Sequence, residues 1–450
     1  MKKGDKRVIR AWTMYDWANS AYSLTVTSAV FPAFYVGITS TYGEGRVTEE
    51  YGAPAASLYP WALSAGFLVV ALLTPILSGI ADSRGNKKFF LKLFCYVGAA
   101  ACAGLFFFSM EHLWLGLTLV ALACIGFSGS LTFYDAFLPE IAEEADQDRI
   151  SARGYTMGYI GSVILLILNL AMVMMPETFF IPETVTLFGR EWGAVPARLS
   201  FLSVALWWVG WAQLAFRRLP DTTPSHVDTA VGVVANGYRE LRNTWLTLRK
   251  TVRLKRYLIA FFVLNMGIQT VMYLAANFAK QEVKELNGAG EAVPIGDASL
   301  ITSILIIQLV AIPGALTFVR LSKRFGNVKA LMIGATVWII ACLWAFRVVW
   351  ANEFYLLAGL VGLIMGGSQA LTRSTYSKFL PETTDTASFF SFYDVSYYVG
   401  TVLGTTAYGI VYALTEDLRS TIIAIGSFFL AGLLLLWRVP KEEVLPTAAA

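Results

Sequence analysis

Charge is scarce in this chain of 450 residues: Asp, Glu, Lys and Arg make up 15% of it, against roughly a quarter in a soluble domain. That scarcity excludes an ordinary water-facing surface, because 56% of the residues are hydrophobic and the mean hydropathy is +0.59. The surplus apolar surface must face lipid. A net charge of only +4 leaves no footprint for nucleic acid. Cysteine occurs four times, at Cys95, Cys102, Cys124 and Cys342, always inside apolar runs and never at zinc-ligand spacing, which reads as reduced and packed. The two histidines, His112 and His226, have no Cys or His beside them, so neither a metal nor another cofactor is expected. There is no Gly-x-Ser-x-Gly, no His-Glu-x-x-His and no phosphate-binding Gly-Lys-Ser/Thr loop, which argues against an enzyme and an ATP-driven pump.

What the chain has in abundance is long apolar stretches. A membrane span needs about 20 mainly apolar residues to cross roughly 30 Å of hydrocarbon. Twelve stretches qualify, near 12–39, 57–82, 88–109, 113–138, 155–176 and 197–217, then 257–280, 299–320, 329–350, 354–376, 389–413 and 419–438. Each must be helical, since lipid offers no partner to a free backbone N–H or C=O. The first is too long for the core of a signal peptide and carries Asp16 and Asn19, so it reads as an uncleaved span. Of the 35 Lys and Arg residues, 28 fall on the side of the termini and seven on the other. That bias predicts a cell-membrane protein with both termini in the cytoplasm.

The expected organisation is an all-α membrane protein: a six-helix bundle over 1–217, a linker over 218–256, a second six-helix bundle over 257–440 and a tail over 441–450. The linker places Val234, Tyr238, Leu241, Trp245, Leu248 and Val252 at alternating spacings of four and three, one apolar stripe on a helix. Such a helix fits either a membrane surface, with its arginines toward anionic lipid headgroups, or a seat beneath the bundles. The halves also repeat. Tyr134-Asp135-Ala136-Phe137-Leu138-Pro139-Glu140 matches Tyr376-Ser377-Lys378-Phe379-Leu380-Pro381-Glu382 at an offset of 242, and Gly85-Asn86-Lys87-Lys88 matches Gly326-Asn327-Val328-Lys329 at 241. Parallel six-helix repeats are the plan of the major facilitator fold.

Ser78-Gly79-Ile80-Ala81-Asp82-Ser83-Arg84-Gly85-Asn86-Lys87-Lys88 resembles the signature loop between the second and third helices of the major facilitator superfamily, with Ser78 and Asn86 departing from it. Tyr15-Asp16-Trp17-Ala18-Asn19-Ser20, Phe137-Leu138-Pro139-Glu140, Ser151-Ala152-Arg153-Gly154, Gly158-Tyr159-Ile160-Gly161-Ser162 and Gly367-Ser368-Gln369-Ala370-Leu371-Thr372-Arg373-Ser374 resemble the vacuole-effluxer branch of that superfamily. The resemblance implies a secondary transporter, and in fungi the export of amino acids. A drug or other-metabolite exporter of the same fold, with aromatics such as Trp207, Trp208 and Trp211, and a non-transporting receptor or scaffold are the alternatives.

An ionisable group within a span costs about 2.5–3.5 kcal/mol on insertion scales. Asp16, Asp135, Glu140, Arg153, Arg373 and Asp394 all fall at one depth, just inside the cytoplasmic face, and Asp82 and Arg84 adjoin them. They read either as side chains snorkelling to water or as a network that clasps the halves together, through pairs such as Asp135 with Arg153 or Asp394 with Arg373. Proton coupling would rest on Asp16 or Asp135. Deeper positions are polar but uncharged: Asn19 and Tyr22 on the first span, Asn169 on the fifth, Asn265, Gln269 and Tyr273 on the seventh, Gln308 on the eighth and Gln369 on the tenth. They read as contacts for a small polar solute in a central cavity, or as interhelical hydrogen bonds worth about 0.6 kcal/mol each.

Overall fold

Apolar stretches of this length fold as helices because each backbone N–H finds its acceptor four residues back. The computed structural model describes residues 3–221 and 233–443. The spans are α1 (Lys6–Tyr42), α2 (Ala55–Arg84), α3 (Lys87–Gly104), α4 (Leu113–Asp135), α5 (Gln147–Met174) and α6 (Val195–Arg218), then α7 (Val252–Glu282), α8 (Asp297–Phe325), α9 (Asn327–Ala345), α10 (Ala351–Phe379), α11 (Thr386–Thr415) and α12 (Leu418–Trp437). Two short antiparallel hairpins, Val185–Leu187 with Arg190–Trp192 and Lys284–Leu286 with Ala292–Pro294, cover the connections α5–α6 and α7–α8.

Among the described residues, eleven helices are both long and apolar enough to cross a membrane. The exception to the expected twelve is α11. It has 30 residues, but it carries Ser388, Ser391, Asp394, Thr401 and Thr405. Its polar residues are tolerated because α11 is packed between α7, α2 and α12. Helices also outrun their apolar cores. α5 begins at Gln147, so Arg153, expected in a loop, is helical. Hydropathy marks where lipid contact ends, whereas a helix continues as long as its backbone bonds are made.

Packing repeats between the halves. α1 lies on α5 and α6, and α7 on α11 and α12; α3 meets α6 as α9 meets α12. Gly85 and Gly326, the paired glycines of the sequence repeat, both adopt positive φ (67° and 85°), turning the chain from α2 into α3 and from α8 into α9. The halves touch where α2 meets α11 and where α5 meets α8 and α10. Leu72, Leu343, Leu356, Leu414 and Trp437 stand exposed on the outer wall, where lipid would cover them.

α1 widens to a π-helix over Tyr22–Val30. Pro32 supplies no N–H to the turn before it, and Tyr59 donates from α2 to the Thr27 carbonyl at 3.0 Å. The wide turn aims Ser23, Thr27 and Ser28 inward, in keeping with the placement of such turns at functional positions.

The linker helix, Val233–Lys250, lies against α2, α7 and α11. Its buried face is Asn236, Gly237, Glu240 and Thr244 with Leu248, and of the expected apolar stripe only Leu248 is buried among the described side chains; Tyr238 is 66% and Trp245 45% exposed. The reason is close backbone approach. Gly237 crosses Gly79 of α2 with no room for a Cβ on either, and small or polar residues permit that where the stripe does not. The side chain of Val234, His226 and residues 441–450 beyond Glu443 lie outside the described residues.

A Cβ at Gly366 of α10 would overlap the Ala311 carbonyl of α8. Gly366→Val is therefore expected to cost about 1–3 kcal/mol, read as a lowered unfolding midpoint in detergent. An unchanged midpoint would show that α8 and α10 do not meet there.

Candidate transport site: a polar cavity floored by an inter-half seal

Arg373, on α10 of the second half, is a buried charge, 1% exposed as a side chain. Its partners all come from the first half. Nη2 donates to Asp16 Oδ2 on α1 at 3.1 Å and Nη1 to Asp135 Oδ1 on α4 at 3.0 Å. Nε donates to Ser151 Oγ and Nη2 to the Ser151 carbonyl on α5, both at 3.0 Å. The guanidinium lies 4.2 Å from the Tyr155 ring centroid, 4.8 Å from Trp12 and 5.5 Å from Tyr134. Tyr134 donates its hydroxyl to Asp16 Oδ2 at 2.7 Å, and Trp12 Nε1 donates to the Tyr134 carbonyl at 3.0 Å. Gly154 makes room: a side chain there would run into Asp16 Oδ2 and Arg373 Nη2.

Two further clasps flank this knot on the face that carries residues 3 and 443. On one side, Asp82 at the end of α2 accepts from the backbone N–H of Ala387 (3.3 Å) and Ser388 (2.7 Å) in the first turn of α11. A carboxylate at a helix N-terminus satisfies donors that the helix leaves free. Lys87, 1% exposed, bridges Asp82 at 3.5 Å to Glu140 and donates to Thr386 Oγ1 at 2.7 Å. On the other side, Asp148 of α5 accepts from Lys378 Nζ (2.7 Å), Ser322 Oγ (2.8 Å) and Asn327 Nδ2 (2.8 Å). Each clasp joins the two halves.

Above the Arg373 knot lies a chamber of about 160 Å³, lined by Asp16, Asn19, Gln269, Gln308, Gln369 and Arg373 among others. It shares Leu24, Thr27, Ser28, Leu63, Phe67, Met272, Tyr273 and Gln308 with a larger chamber of about 340 Å³ that reaches Pro32, Pro60, Leu300 and Phe354 at the opposite face. The cavity therefore opens away from the termini and is sealed toward them. Tyr159 donates to Gln369 Oε1 at 2.9 Å. Of the polar atoms on chamber-lining residues, two are buried without a hydrogen-bond partner among the described residues: Asn19 Nδ2, a donor, and Gln308 Oε1, an acceptor.

Of the polar residues singled out in the sequence, Asn19, Tyr22, Gln269, Tyr273 and Gln369 line the chamber. Asn265 does not; it holds Gln269 Nε2 at 3.2 Å and donates to the Tyr397 carbonyl at 2.7 Å, fixing α7 on α11. Asn169 turns away to α6, accepting from Ser203 at 2.8 Å. The expected pairs are not formed. Arg153 and Arg84 are exposed and make no ion pair among the described residues. Asp394 is 3% exposed, does not reach Arg373, and its Oδ2 has no hydrogen-bond partner. Asp148 escaped the sequence reading because a loop was expected where α5 begins, and Lys378 entered it only as part of the repeat; Tyr155, four residues before Tyr159 on α5, also went unremarked. Trp207 and Trp211 pack on Trp17, with ring centroids 5.4 and 5.8 Å from it, not in the chamber.

Two six-helix bundles related by their packing, with a cavity along the seam, have the architecture of the major facilitator superfamily, a class of secondary transporters. The chain belongs to the vacuole effluxer Atg22-like family, whose model matches residues 4–148 and 140–449. It is 30% identical over 432 residues to the uncharacterized MFS-type transporter YxiO of Bacillus subtilis, covering 96% of this chain and 94% of that one. It is 21% identical to autophagy-related protein 22-2 of Neosartorya fischeri, covering 86% and 75%. Its fold matches the fucose:proton symporter FucP of E. coli with a TM-score of 0.67 at 14% identity, covering 97% of this chain and 98% of that one.

Arg373→Met would leave Asp16 and Asp135 buried without a cation, a loss of about 3–5 kcal/mol. Spin labels at Arg217→Cys and Lys323→Cys, one on each half, should then report a longer distance across the terminal face. An unchanged distance distribution would mean that Arg373 does not hold the seal.

Proposed function

We propose that this protein exports a small zwitterionic solute, an amino acid, from the cytoplasm by alternating access, with both termini cytoplasmic and the chain in the cell membrane. The observation that carries this reading is the polar floor of the cavity, where a free donor, Asn19 Nδ2, and a free acceptor, Gln308 Oε1, stand above a sealed ion-pair knot. A carboxylate suits the amide N–H and an ammonium suits the amide oxygen. The wider chamber above, with Leu63, Phe67, Val271 and Met272, suits an apolar side chain. The family's description as effluxers supports the direction, and the bias of Lys and Arg toward the terminal face supports the orientation.

In this cycle the cavity as observed is the releasing state. Loading requires the terminal face to open, which parts Arg373 from Asp16 and Asp135 together with both flanking clasps. The three clasps act as one bistable interface. A proton reaching Asp16 or Asp135 from the cavity would cancel the charge that holds Arg373, so proton flow and opening are linked at this knot, a role of the kind that the name of the fucose:proton symporter carries.

The test is efflux from proteoliposomes loaded with a panel of amino acids, with and without a pH gradient. Apolar amino acids are expected to leave faster than from empty-vector vesicles. Asn19→Ala removes a hydrogen bond to a charged group, worth about 1.5–3 kcal/mol, so KM should rise by about one to two orders of magnitude. Asp16→Asn and Asp135→Asn should abolish the response to the gradient. If no amino acid moves, or if Asn19→Ala leaves KM as it was, the assignment of the solute fails.

A further inference from the structure

The two halves part at the end remote from the termini. α5 meets α8 at the terminal end, where Ser322 donates to Asp148 at 2.8 Å, and a crevice of about 1200 Å³ separates them at the other. That volume exceeds the roughly 300–1,000 Å³ of small-molecule pockets. One wall is α1, whose Ala29, Ala33 and Gly37 recur every four residues and leave its surface shallow. Gly37 has nothing within 4 Å of the place a Cβ would take. Leu170 of α5 and Leu305 of α8 stand on the facing walls, and Met174 at the edge is 70% exposed on the side that lipid would cover. None of these residues lines the solute chambers, which take Ser28 and Pro32 from another face of α1.

The rim of the crevice is charged, and all but one of its charges are balanced. Arg190 pairs with Glu111 at 2.9 Å, and Asp297 with Lys280 at 2.9 Å. Arg198, in the first turn of α6, has no such partner. It is 5% exposed. Its Nε donates to the Gly193 carbonyl at 2.7 Å, and Nη1 to the carbonyls of Phe106 and Phe108 at 2.5 and 2.9 Å. The guanidinium lies 5.0 Å from the Phe34 ring centroid and 5.1 Å from Trp192. Carbonyls and ring faces satisfy N–H groups but carry no net negative charge. Among the described residues no carboxylate pairs with Arg198, and its Nη2 donates to nothing. Buried charges are ordinarily paired, and this one lines an apolar crevice with its counter-charge missing from the chain.

We infer that the crevice binds an anionic phospholipid of the leaflet remote from the termini, with its phosphate on Arg198 and its acyl chains along α1, α5 and α8. A phosphate supplies the missing charge and accepts from a guanidinium, and the chains suit the apolar walls. A choline headgroup would bring a second cation to a site whose unbalanced charge is already positive. The inference rests on the alternating-access reading above and adds a lipid to it. Closing this face brings α8 toward α1 and α5 and takes the room the chains occupy. The lipid therefore binds the observed state in preference to its opposite, and by that difference favours it.

The experiment uses the full chain without solute. Native mass spectrometry counts the lipid retained from micelles doped with phosphatidylglycerol or with phosphatidylcholine. Spin labels at Glu49→Cys and Asn352→Cys, exposed positions on the two halves, report opening of the face remote from the termini in nanodiscs. One phosphatidylglycerol should be retained, at a concentration about tenfold or more below that needed for phosphatidylcholine. The Glu49–Asn352 distance should lengthen as the share of phosphatidylglycerol rises, then level off. Gly37→Leu fills the crevice and leaves both arginines in place, so it should lose the retained lipid and the response of the distance. Arg198→Gln should weaken retention about tenfold or more; because Arg198 also holds three backbone carbonyls, Gly37→Leu decides where that variant does not fold. Glycerol phosphate, the headgroup without chains, should leave the distance unmoved, and a shift would assign the site to a soluble anion and overturn the proposal. Equal retention of the two lipids, retention kept in Gly37→Leu, or a retained lipid beside an unmoved distance would each overturn it as well. Lost export with lipid retention and distances as expected would sink the amino-acid reading alone, and normal export with no retained phosphatidylglycerol would sink only this one.

Discussion

A guanidinium at membrane depth needs partners for its N–H donors, and the four hydrogen bonds that Arg373 makes among the described residues all cross the seam. Its own half supplies no carboxylate to it; Asp16, Asp135 and Ser151 are all contributed by the other. The consequence is mechanical. The second half cannot satisfy its buried charge without meeting the first, and the first would be left with two buried carboxylates if it withdrew. The local chemistry follows from that constraint. Trp12, Tyr134 and Tyr155 surround the cation with ring faces, which suit a weakly hydrated guanidinium better than aliphatic walls do. Gly154 is bare because Asp16 and Arg373 occupy the space its side chain would fill.

The flanking clasps show what duplication preserves and what it leaves free. α2 meets α11 on one side and α5 meets α8 on the other, as a two-fold arrangement of repeats requires. Each contact is fixed by one aspartate of the first half. Asp82 takes the N–H groups opening α11, whereas Asp148 takes Lys378, Ser322 and Asn327. The geometry of the seam is duplicated, and the donors that satisfy it are not.

Much of this was legible in the sequence. Hydrocarbon imposes helices, so the spans follow from apolarity alone, and the repeats Tyr134–Glu140 and Tyr376–Glu382 mark the two bundles. The common depth of Asp16, Asp135 and Arg373 was readable too, because depth follows from position along a span. Azimuth and partner were not. Asn169 shares the polarity of Asn19 and Gln269 but points to Ser203, since a helix of low amphipathicity does not announce which side faces a cavity. Arg153 is adjacent in sequence to the knot yet turns to solvent, while Arg373 arrives from a helix more than two hundred residues away. The linker misled for a related reason. Its apolar stripe is the visible feature, but backbone approach at Gly237 decided which face docks.

The placement of the knot also bears on how a solute could act on it. Asp16, Asp135 and Arg373 line the floor of the chamber and at the same time close it. A ligand shifts a conformational equilibrium only by the difference in its affinity for the two states. Where binding residues and sealing residues are separate, that difference must be carried through intervening structure. In the reading proposed above, Asn19 and the sealing residues line one chamber, so a charged group that settles beside Asn19 perturbs the field in which Arg373 is held, with no relay between them. Coupling of occupancy to opening then needs no more than contact, and its strength is set by how far the solute's own charges compete with Asp16 and Asp135 for one guanidinium.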